Sequence, residues 1–165
     1  MKLIPKTPEL LNKIYEWNMD SRMRKCLGFP SVPMDYSSCI NYFDIKYDGN
    51  SCILIGVQGD SGNIHGCYMV DIDEMNRRAK VHFAFDEPGR GKLLMKSVKA
   101  FYDYMFFERR IDSLYGEIST SNCISYKCAK NMGWEDVCTL PEYFNEQGQM
   151  VDAYLIRLTN KLRKV

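Results

Sequence analysis

The sequence predicts one mixed α/β domain spanning residues 1–165, with a mostly antiparallel sheet of six to seven strands flanked by four helices. Its 165 residues, 45% apolar and 26% charged, are ordinary for a single globular domain with a full core. Four segments carry apolar residues at helical spacing, and the other periodic segments alternate or run continuously apolar as strands do. Short turns join three successive strand segments, which is typical of an antiparallel meander.

The amino-terminal part predicts a short strand followed by two helices. The strand covers Lys2 to Pro5. Thr7 is suited to cap the first helix, and Pro8 suits its first turn because the N–H that Pro lacks would be unpaired there. Two prolines interrupt the helical pattern within 27–34, and a second helix is expected over Asp35 to Tyr47.

The central part predicts three strands in succession. They cover Ser51 to Gln58, His65 to Asp73 and Lys80 to Asp86. The first connection, GDSGN at 59–63, is rich in turn residues, and the second, at 74–77, is polar. Connections this short join antiparallel neighbours, so the three strands should form a meander.

The carboxy-terminal half predicts two more helices and three strands. In order, these are a helix over Lys92 to Glu108, a strand over Asp112 to Ser119, a helix over Asn122 to Met132, and strands over Trp134 to Thr139 and Met150 to Thr159. The segment Leu140 to Gln149 between the last two strands is expected to be a loop on the substrate side.

Composition excludes several classes of function. A formal net charge of +1 gives no signal for nucleic acid or for an acidic membrane surface. No apolar run approaches the ~20 residues of a membrane span, and the first ten residues, MKLIPKTPEL, lack a signal peptide's apolar segment. The seven cysteines form no CxxC pair and only two histidines occur, so no metal site is expected. We expect a cytoplasmic protein with free cysteines, no metal, no membrane contact and no specific nucleic-acid partner.

A Gly-rich turn between the third central strand and the long helix carries the clearest chemical signal. Gly89 and Gly91 let the backbone approach a ligand closely, and the following helix offers unpaired N–H groups at its positive end. Arg90 and Lys92 add positive charge at the same point. The turn therefore predicts a phosphate-binding site, although an ordinary strand-to-helix turn can have the same composition.

Two motifs resemble those of the GNAT family, the GCN5-related N-acetyltransferases. The family's phosphate turn, Gln/Arg-x-x-Gly-x-Gly/Ala, is similar to DEPGRG at 86–91. A second family motif, Asn-x-x-Ala-x-x-Leu-Tyr-x-Lys-x-Gly-Phe, resembles NCISYKCAKNMGW at 122–134. The order of predicted elements also resembles the GNAT fold over nearly the whole chain.

This resemblance implies a binding site for acetyl-CoA. The cofactor is expected in a V-shaped opening between the strands that hold Phe85 and Glu117. Main-chain groups near Phe83 and Phe85 would pair with the pantetheine arm as an extra strand would. The amides of Gly89, Arg90, Gly91 and Lys92 would hold the pyrophosphate, and Asn122 would contact the pantetheine arm.

Acetyl transfer also requires a base, and often an acid for the leaving thiolate. Glu117 is the first candidate base, because a carboxylate in a mostly buried strand is costly unless it is paired or faces a cleft; a solvent-facing position is the alternative. His82 is the second, since its pKa suits the task, while an isolated strand histidine is also typical of a structural role. The family's usual tyrosine acid falls at Ala129, so Tyr126, on the same helix face, is the candidate replacement.

Three departures from the family pattern keep a second function open. Asp86 brings negative charge toward the phosphate turn, Pro88 lacks an N–H donor, and Ala129 lacks the usual hydroxyl. They favour a catalytically silent binding or assembly protein of the GNAT fold. The segment 122–134 is also similar to GNAT-fold proteins encoded by tailed bacteriophages. A nucleotide-binding module is a weaker alternative, because no Walker lysine pattern occurs.

The first hypothesis is thus an N-acetyltransferase that moves an acetyl group from acetyl-CoA to an amine, carried by a small molecule or a protein. No metal cofactor is expected. The aromatic side chains of the long helix are expected in the core or at a homodimer face; they are Tyr102, Tyr104, Phe106 and Phe107.

Overall fold

The computed structural model describes residues 1–146 and 148–161, which form seven strands and five α-helices. The strands are β1 (Lys2–Ile4), β2 (Cys52–Gln58), β3 (Ile64–Asp73), β4 (Arg78–Phe85), β5 (Ser113–Ser119), β6 (Glu135–Glu146) and β7 (Gln149–Thr159). The helices are α1 (Pro8–Met19), α2 (Ser21–Cys26), α3 (Tyr36–Lys46), α4 (Lys92–Asp103) and α5 (Cys123–Asn131). A π-helical segment, Tyr104–Glu108, continues α4.

All seven strands belong to one sheet in the order β1-β2-β3-β4-β5-β7-β6. Every neighbouring pair is antiparallel except β4 and β5, which run parallel. The predicted mixed, mostly antiparallel sheet is therefore confirmed, as is the meander of β2, β3 and β4.

The sheet separates two hydrophobic layers. On one face α4 and α5 cover the sheet, and the ring of Tyr68 stacks on Phe101 with 4.1 Å between centroids. On the other face α1, α2 and α3 pack around Leu10, Ile14 and Phe43. We call these the α4–α5 face and the α1–α3 face. Among the described residues, no helix is long and apolar enough to cross a membrane, and none of their His, Cys, Asp and Glu side chains group as a metal site would require.

Helices α1 and α2 each begin directly after a residue whose side chain accepts hydrogen bonds from the first-turn N–H groups. Thr7 Oγ1 accepts the Leu10 N–H at 3.2 Å, with Pro8 in the first turn, as predicted. Asp20 accepts two N–H groups at 2.8 and 2.9 Å and starts α2, a fifth α-helix where the sequence predicted four. Only Met23 of this six-residue helix is buried, so α2 shows no amphipathic pattern.

Two further segments differ from their predictions. The long helix ends in the π-helical segment, where the Arg109 N–H reaches the Tyr104 carbonyl at 2.9 Å. The expected loop from Leu140 to Gln149 is wrong, because β6 runs for 12 residues and forms a hairpin with β7. Most of β6 is exposed on both faces, so the alternation that identifies a strand is missing. Of the long helix's aromatic side chains, Phe107 alone is largely exposed and the other three pack against the core.

Candidate functional site

The parallel strands β4 and β5 separate after three paired positions. The last of these pairs joins Lys80 to Tyr115. Beyond it, β4 stays paired with β3 as far as Phe85, and β5 stays paired with β7 as far as Ser119. The predicted V-shaped opening is therefore present, and we call it the β4–β5 gap.

One edge of this gap is a row of main-chain groups on β4. The Asp86 N–H donates to the His65 carbonyl at 3.0 Å, so the two residues form a hydrogen-bonded antiparallel pair. Hydrogen-bonded pairs alternate along such a ladder, and therefore the N–H and C=O groups of Phe85 and Phe83 point away from β3 and into the gap. Arg90 Nε lies 3.3 Å from the Phe85 carbonyl oxygen.

At the top of the gap, the turn before α4 presents unpaired amides. The N–H groups of Gly91, Lys92 and Leu93 bond to no acceptor within the ranges 1–146 and 148–161. The amides of Gly89 and Arg90, which were also expected to face a phosphate, bond instead to Asp86 and Glu87, so this part of the prediction is wrong. Gly91 has φ 75°, a conformation that favours glycine, and a Cβ there would meet only open space. Exposed amides at the positive end of a 12-residue helix form a site suited to a phosphate.

The Asp86 side chain stabilises this turn through hydrogen bonds. Its Oδ1 accepts the Gly89 N–H at 2.9 Å and lies 3.2 Å from His65 Nδ1. A Cβ on Gly89 would collide with the His65 carbonyl oxygen, so glycine is needed for this close packing. The Asp86 carboxylate therefore holds the Gly89 end of the turn and is engaged with His65.

His82 and Glu117 flank the gap on the α1–α3 face. Each lies two residues beyond the last paired position, Lys80 with Tyr115, and so on the same face of the sheet as that pair. His82 Nε2 is 2.7 Å from the Cys26 carbonyl oxygen. Because a carbonyl only accepts, Nε2 carries the proton, and Nδ1 is the unprotonated nitrogen of the neutral ring.

The environment of His82 favours the neutral form of the ring. Surrounding protein atoms lower the pKa of His82 by desolvation, although its outer edge remains exposed. The cations Lys80 and Lys46 act in the same direction. The hydrogen bond to Cys26 and the charge of Glu117 oppose the shift without reversing it.

Glu117 is mostly buried and paired with a cation. Its side chain is 16% exposed, and Oε2 lies 2.6 Å from Nζ of Lys80, which is half exposed. The Tyr143 hydroxyl hydrogen-bonds the same carboxylate, and this bond raises the pKa of Tyr143. Burial alone would lower the pKa of Lys80, but Glu117 raises it above its ordinary value. Glu117 therefore faces the gap within an ionic group and does not lie on an open surface.

Tyr143 reaches this group through an irregularity in β6. Residues 141–143 lie between the pairs Leu140 with Ala153 and Phe144 with Val151. Glu142 has φ 50°, and the Asp152 carboxylate accepts its N–H at 2.9 Å. Such bulges redirect side chains near sites. Sequence reasoning missed Tyr143, because no local pattern predicts where a bulge points a side chain.

A second carboxylate lies at the end of the hairpin beside the gap. Glu146 accepts hydroxyl hydrogen bonds from Ser119, at 2.6 Å, and from Ser121, at 2.9 Å. These bonds lower the pKa of Glu146, and the charge of Lys25 on α2 adds to the shift. The end of β6 is thus fastened to the end of β5.

The remaining predicted residues lie on α5. Asn122 caps the helix by accepting the Ser125 N–H at 3.1 Å, and its exposed side chain follows the end of β5. The Tyr126 hydroxyl bonds to the Asp136 carboxylate at 3.0 and 3.1 Å, which raises the pKa of Tyr126. Asp136 is on β6, at the sheet edge, so this hydroxyl is directed away from the gap. Ala129 is buried in the core.

Comparisons with known proteins identify the fold. The sequence matches no protein-family model and no curated protein. Among solved structures, a spermidine N-acetyltransferase from Vibrio cholerae in complex with CoA and spermine superposes with a TM-score of 0.86 at 15% identity, over 96% of this chain and 94% of that one. A chimera of the Vibrio cholerae enzyme SpeG and hSSAT gives 0.83 at 14% identity, over 96% of both chains. The fold expected from the sequence is confirmed, since the similarity covers nearly the full lengths.

Proposed function

We propose that this chain, which has the GNAT fold, transfers an acetyl group from acetyl-CoA to the amine of a small molecule. The observation that carries the proposal is the β4–β5 gap, which opens directly beneath the free amides of Gly91, Lys92 and Leu93. A free strand edge can bond the amides of a pantetheine arm, and the free helix amides beside it can bind the diphosphate at the end of that arm. The solved neighbour with bound CoA shares the fold and supports this assignment.

The pyrophosphate and the pantetheine arm of the cofactor each have matching groups in the gap. The three free amides, with Arg90 and Lys92, would hold the pyrophosphate. The inward main-chain groups of Phe83 and the N–H of Phe85 would bond the amides of the pantetheine arm, as in strand addition, while the Phe85 carbonyl already accepts a hydrogen bond from Arg90 Nε. The Asn122 side-chain amide, which donates no hydrogen bond within the described residues, would contact the same arm.

The reaction requires the acceptor to lose a proton before or during attack. His82 Nδ1 would take this proton from the acceptor ammonium, and Glu117 would hold the ammonium nearby. The amine nitrogen then bonds to the thioester carbon and the C–S bond breaks. Because a thiol has a pKa of about 8.5, CoA can leave as a thiolate with little help from an acid. The direction of the Tyr126 hydroxyl makes Tyr126 a structural residue in this proposal.

The acceptor is proposed to be a small molecule, by analogy with the neighbour that was solved with spermine. Protein amines and a homodimer remain expectations from the sequence. Acetyl-CoA as donor is consistent with the expected cytoplasmic location.

A second candidate function follows from Ala129. It is buried where the family's usual acid would stand, as expected for a GNAT-fold protein that binds CoA without chemistry. Calorimetric titration with acetyl-CoA, CoA and desulfo-CoA, together with a thiol-release assay over a panel of amines, separates the two. Thiol release that depends on both substrates supports the enzyme. Tight binding without release supports the silent protein, and no binding of any CoA species contradicts both.

A further inference from the structure

We infer that the acceptor is a short zwitterion, an amine whose carboxylate lies within two carbons of the reacting nitrogen. The inference rests on the proposed function and names its substrate class. It follows from the ion pair between Lys80 and Glu117 on the acceptor side of the gap, which presents a fixed cation and a fixed anion side by side.

The pair is positioned where an acceptor must enter. Lys80 is the last β4 residue that pairs with β5, so its side chain stands at the closed end of the gap. Glu117 lies on the opposite strand, and His82 is two residues further along β4 on the same face. An acceptor nitrogen between Glu117 and His82 therefore has the Lys80 ammonium as its neighbour.

The charged side chains around this entrance balance. Glu117 and Glu146 lie at the gap, and Asp71 is the β3 partner of Lys80 on the same face. Lys80 and Lys25 lie near these carboxylates, and Lys46 acts on His82. Among these named side chains the three carboxylates and three ammonium groups cancel, so this group supplies no excess negative charge. A polycation would gain little attraction from such a surface, since binding several positive charges requires net negative potential.

A zwitterion fits because it can replace both partners of the Lys80–Glu117 ion pair. A simple ammonium that binds Glu117 takes this carboxylate from Lys80 and leaves the Lys80 ammonium without its partner in the pair. Leaving this ammonium to solvent alone loses the energy of the ion pair, a modest amount because Lys80 is half exposed. A zwitterion instead gives its ammonium to Glu117 and its carboxylate to Lys80, so both charges are paired again. The Tyr143 hydroxyl is bonded to Glu117 and holds the Glu117 carboxylate in place while its cation partner changes from Lys80 to the ligand ammonium.

The test compares matched acceptors on the full-length protein. The proteinogenic L-amino acids and β-alanine are each assayed beside their own primary amides, with putrescine, spermidine and spermine as polycations. Thiol release at saturating acetyl-CoA gives kcat/KM, corrected for the ionisation of each amine. Calorimetric titration of the same compounds measures binding without turnover. Acetyl-CoA binding is measured separately in the same preparations.

For at least one amino acid, kcat/KM should exceed that of the corresponding primary amide by about tenfold. The factor is modest because Lys80 is half exposed and solvent screens its charge. Lys80→Met should reduce that ratio to near one, and Lys80→Arg, which keeps the charge, should preserve it. Circular dichroism checks that both variants fold.

Three results would overturn the inference: a preference for amides or polyamines, an acid-to-amide ratio unchanged in Lys80→Met, or no acid bound or turned over by a protein that binds acetyl-CoA. Failure to bind acetyl-CoA would instead contradict the proposed function. In that case the calorimetric acid-to-amide comparison still decides whether the Lys80–Glu117 pair binds zwitterions.

Discussion

Trp134 donates its indole N–H to the Tyr102 hydroxyl at 2.7 Å, and this bond joins the segments that follow the two strands of the gap. Tyr102 lies on α4, which follows β4, and Trp134 ends the α5–β6 connection, which follows β5. The strands are separated by the gap, whereas the segments behind them are tied together. The bond therefore holds α4 against the α5–β6 connection behind the gap.

Removal of this bond should lower the free energy of unfolding. Tyr102→Phe leaves the buried indole N–H of Trp134 unpaired and should cost about 1–3 kcal/mol. Tyr104→Phe removes a partly buried hydroxyl that makes no side-chain hydrogen bond among the described residues, and serves as the matched control. Urea denaturation measures both variants. Equal losses in the two would show that the Trp134 bond contributes nothing specific.

A negative charge at the proposed pyrophosphate turn should weaken cofactor binding. Gly91→Glu places a carboxylate over the free amides, and we expect acetyl-CoA affinity to fall by about tenfold or more. Gly62→Glu is the control, because Gly62 also has positive φ and open space around its Cβ but lies in the β2–β3 turn. Both variants should lose similar thermal stability through backbone strain. Titration calorimetry should separate them, and comparable affinities would disprove the turn as the pyrophosphate site.

The two candidate bases should give different kinetic changes. His82→Gln should lower kcat by about 100-fold, because it removes the unprotonated Nδ1. Glu117→Gln should act mainly on KM, because its carboxylate is already held by Lys80 and Tyr143. Steady-state kinetics with the best acceptor decide. A 100-fold loss of kcat in Glu117→Gln alone would return the role of base to Glu117.

Stability should fall on acidification through the titration of His82. Desolvation lowers its pKa from the ordinary 6.5, so near pH 6 the unfolded chain binds more protons than the folded one. The contribution of His82 is therefore complete above about pH 6.5 and is lost as the pH falls toward the lowered pKa. Thermal unfolding from pH 8 to pH 5 should show a shallower decline in His82→Gln. An identical decline in both proteins would refute this assignment.

Tyr126→Phe tests whether a tyrosine acid is retained on α5. Because the hydroxyl is bonded to Asp136 and directed to the sheet edge, kcat should change by less than about threefold, well below the effect of losing a general acid. Asp136→Asn, which changes the same contact from the other side, should behave alike. A large loss of kcat confined to Tyr126→Phe would instead restore the catalytic role predicted from the sequence.

The Gly-rich turn and the helix that follows it could be predicted from the sequence because their signal is local. Two glycines, a preceding strand and a following amphipathic helix lie within a few residues of each other. The role of Asp86 could not be predicted, because it depends on a contact with His65, which is 21 residues away on the neighbouring strand. The same aspartate that counted against a phosphate site stabilises the turn.

The acceptor side was less predictable because its contacts cross the sheet. Glu117 was a candidate because its strand was expected to be buried. Its pairing with Lys80 depends on the β4–β5 register, which the sequence does not predict because a helix separates the two strands along the chain. Tyr143 depends on a bulge in a strand exposed on both faces. Helix α2, which positions the carbonyl bonded to His82, is too short to show periodicity.

The contacts among Asp86, Gly89 and His65 have a consequence for the kinetics of amide hydrogen exchange. Gly89 and Leu94 N–H groups are already bonded at 2.9 and 3.0 Å, so they should exchange slowly with or without a ligand. The neighbouring Gly91, Lys92 and Leu93 amides should exchange at nearly the rate of an open chain until a diphosphate covers them. Three fast amides would thus lie between slow ones within six residues of one turn, where hydrogen bonding to neighbouring groups decides which amides exchange.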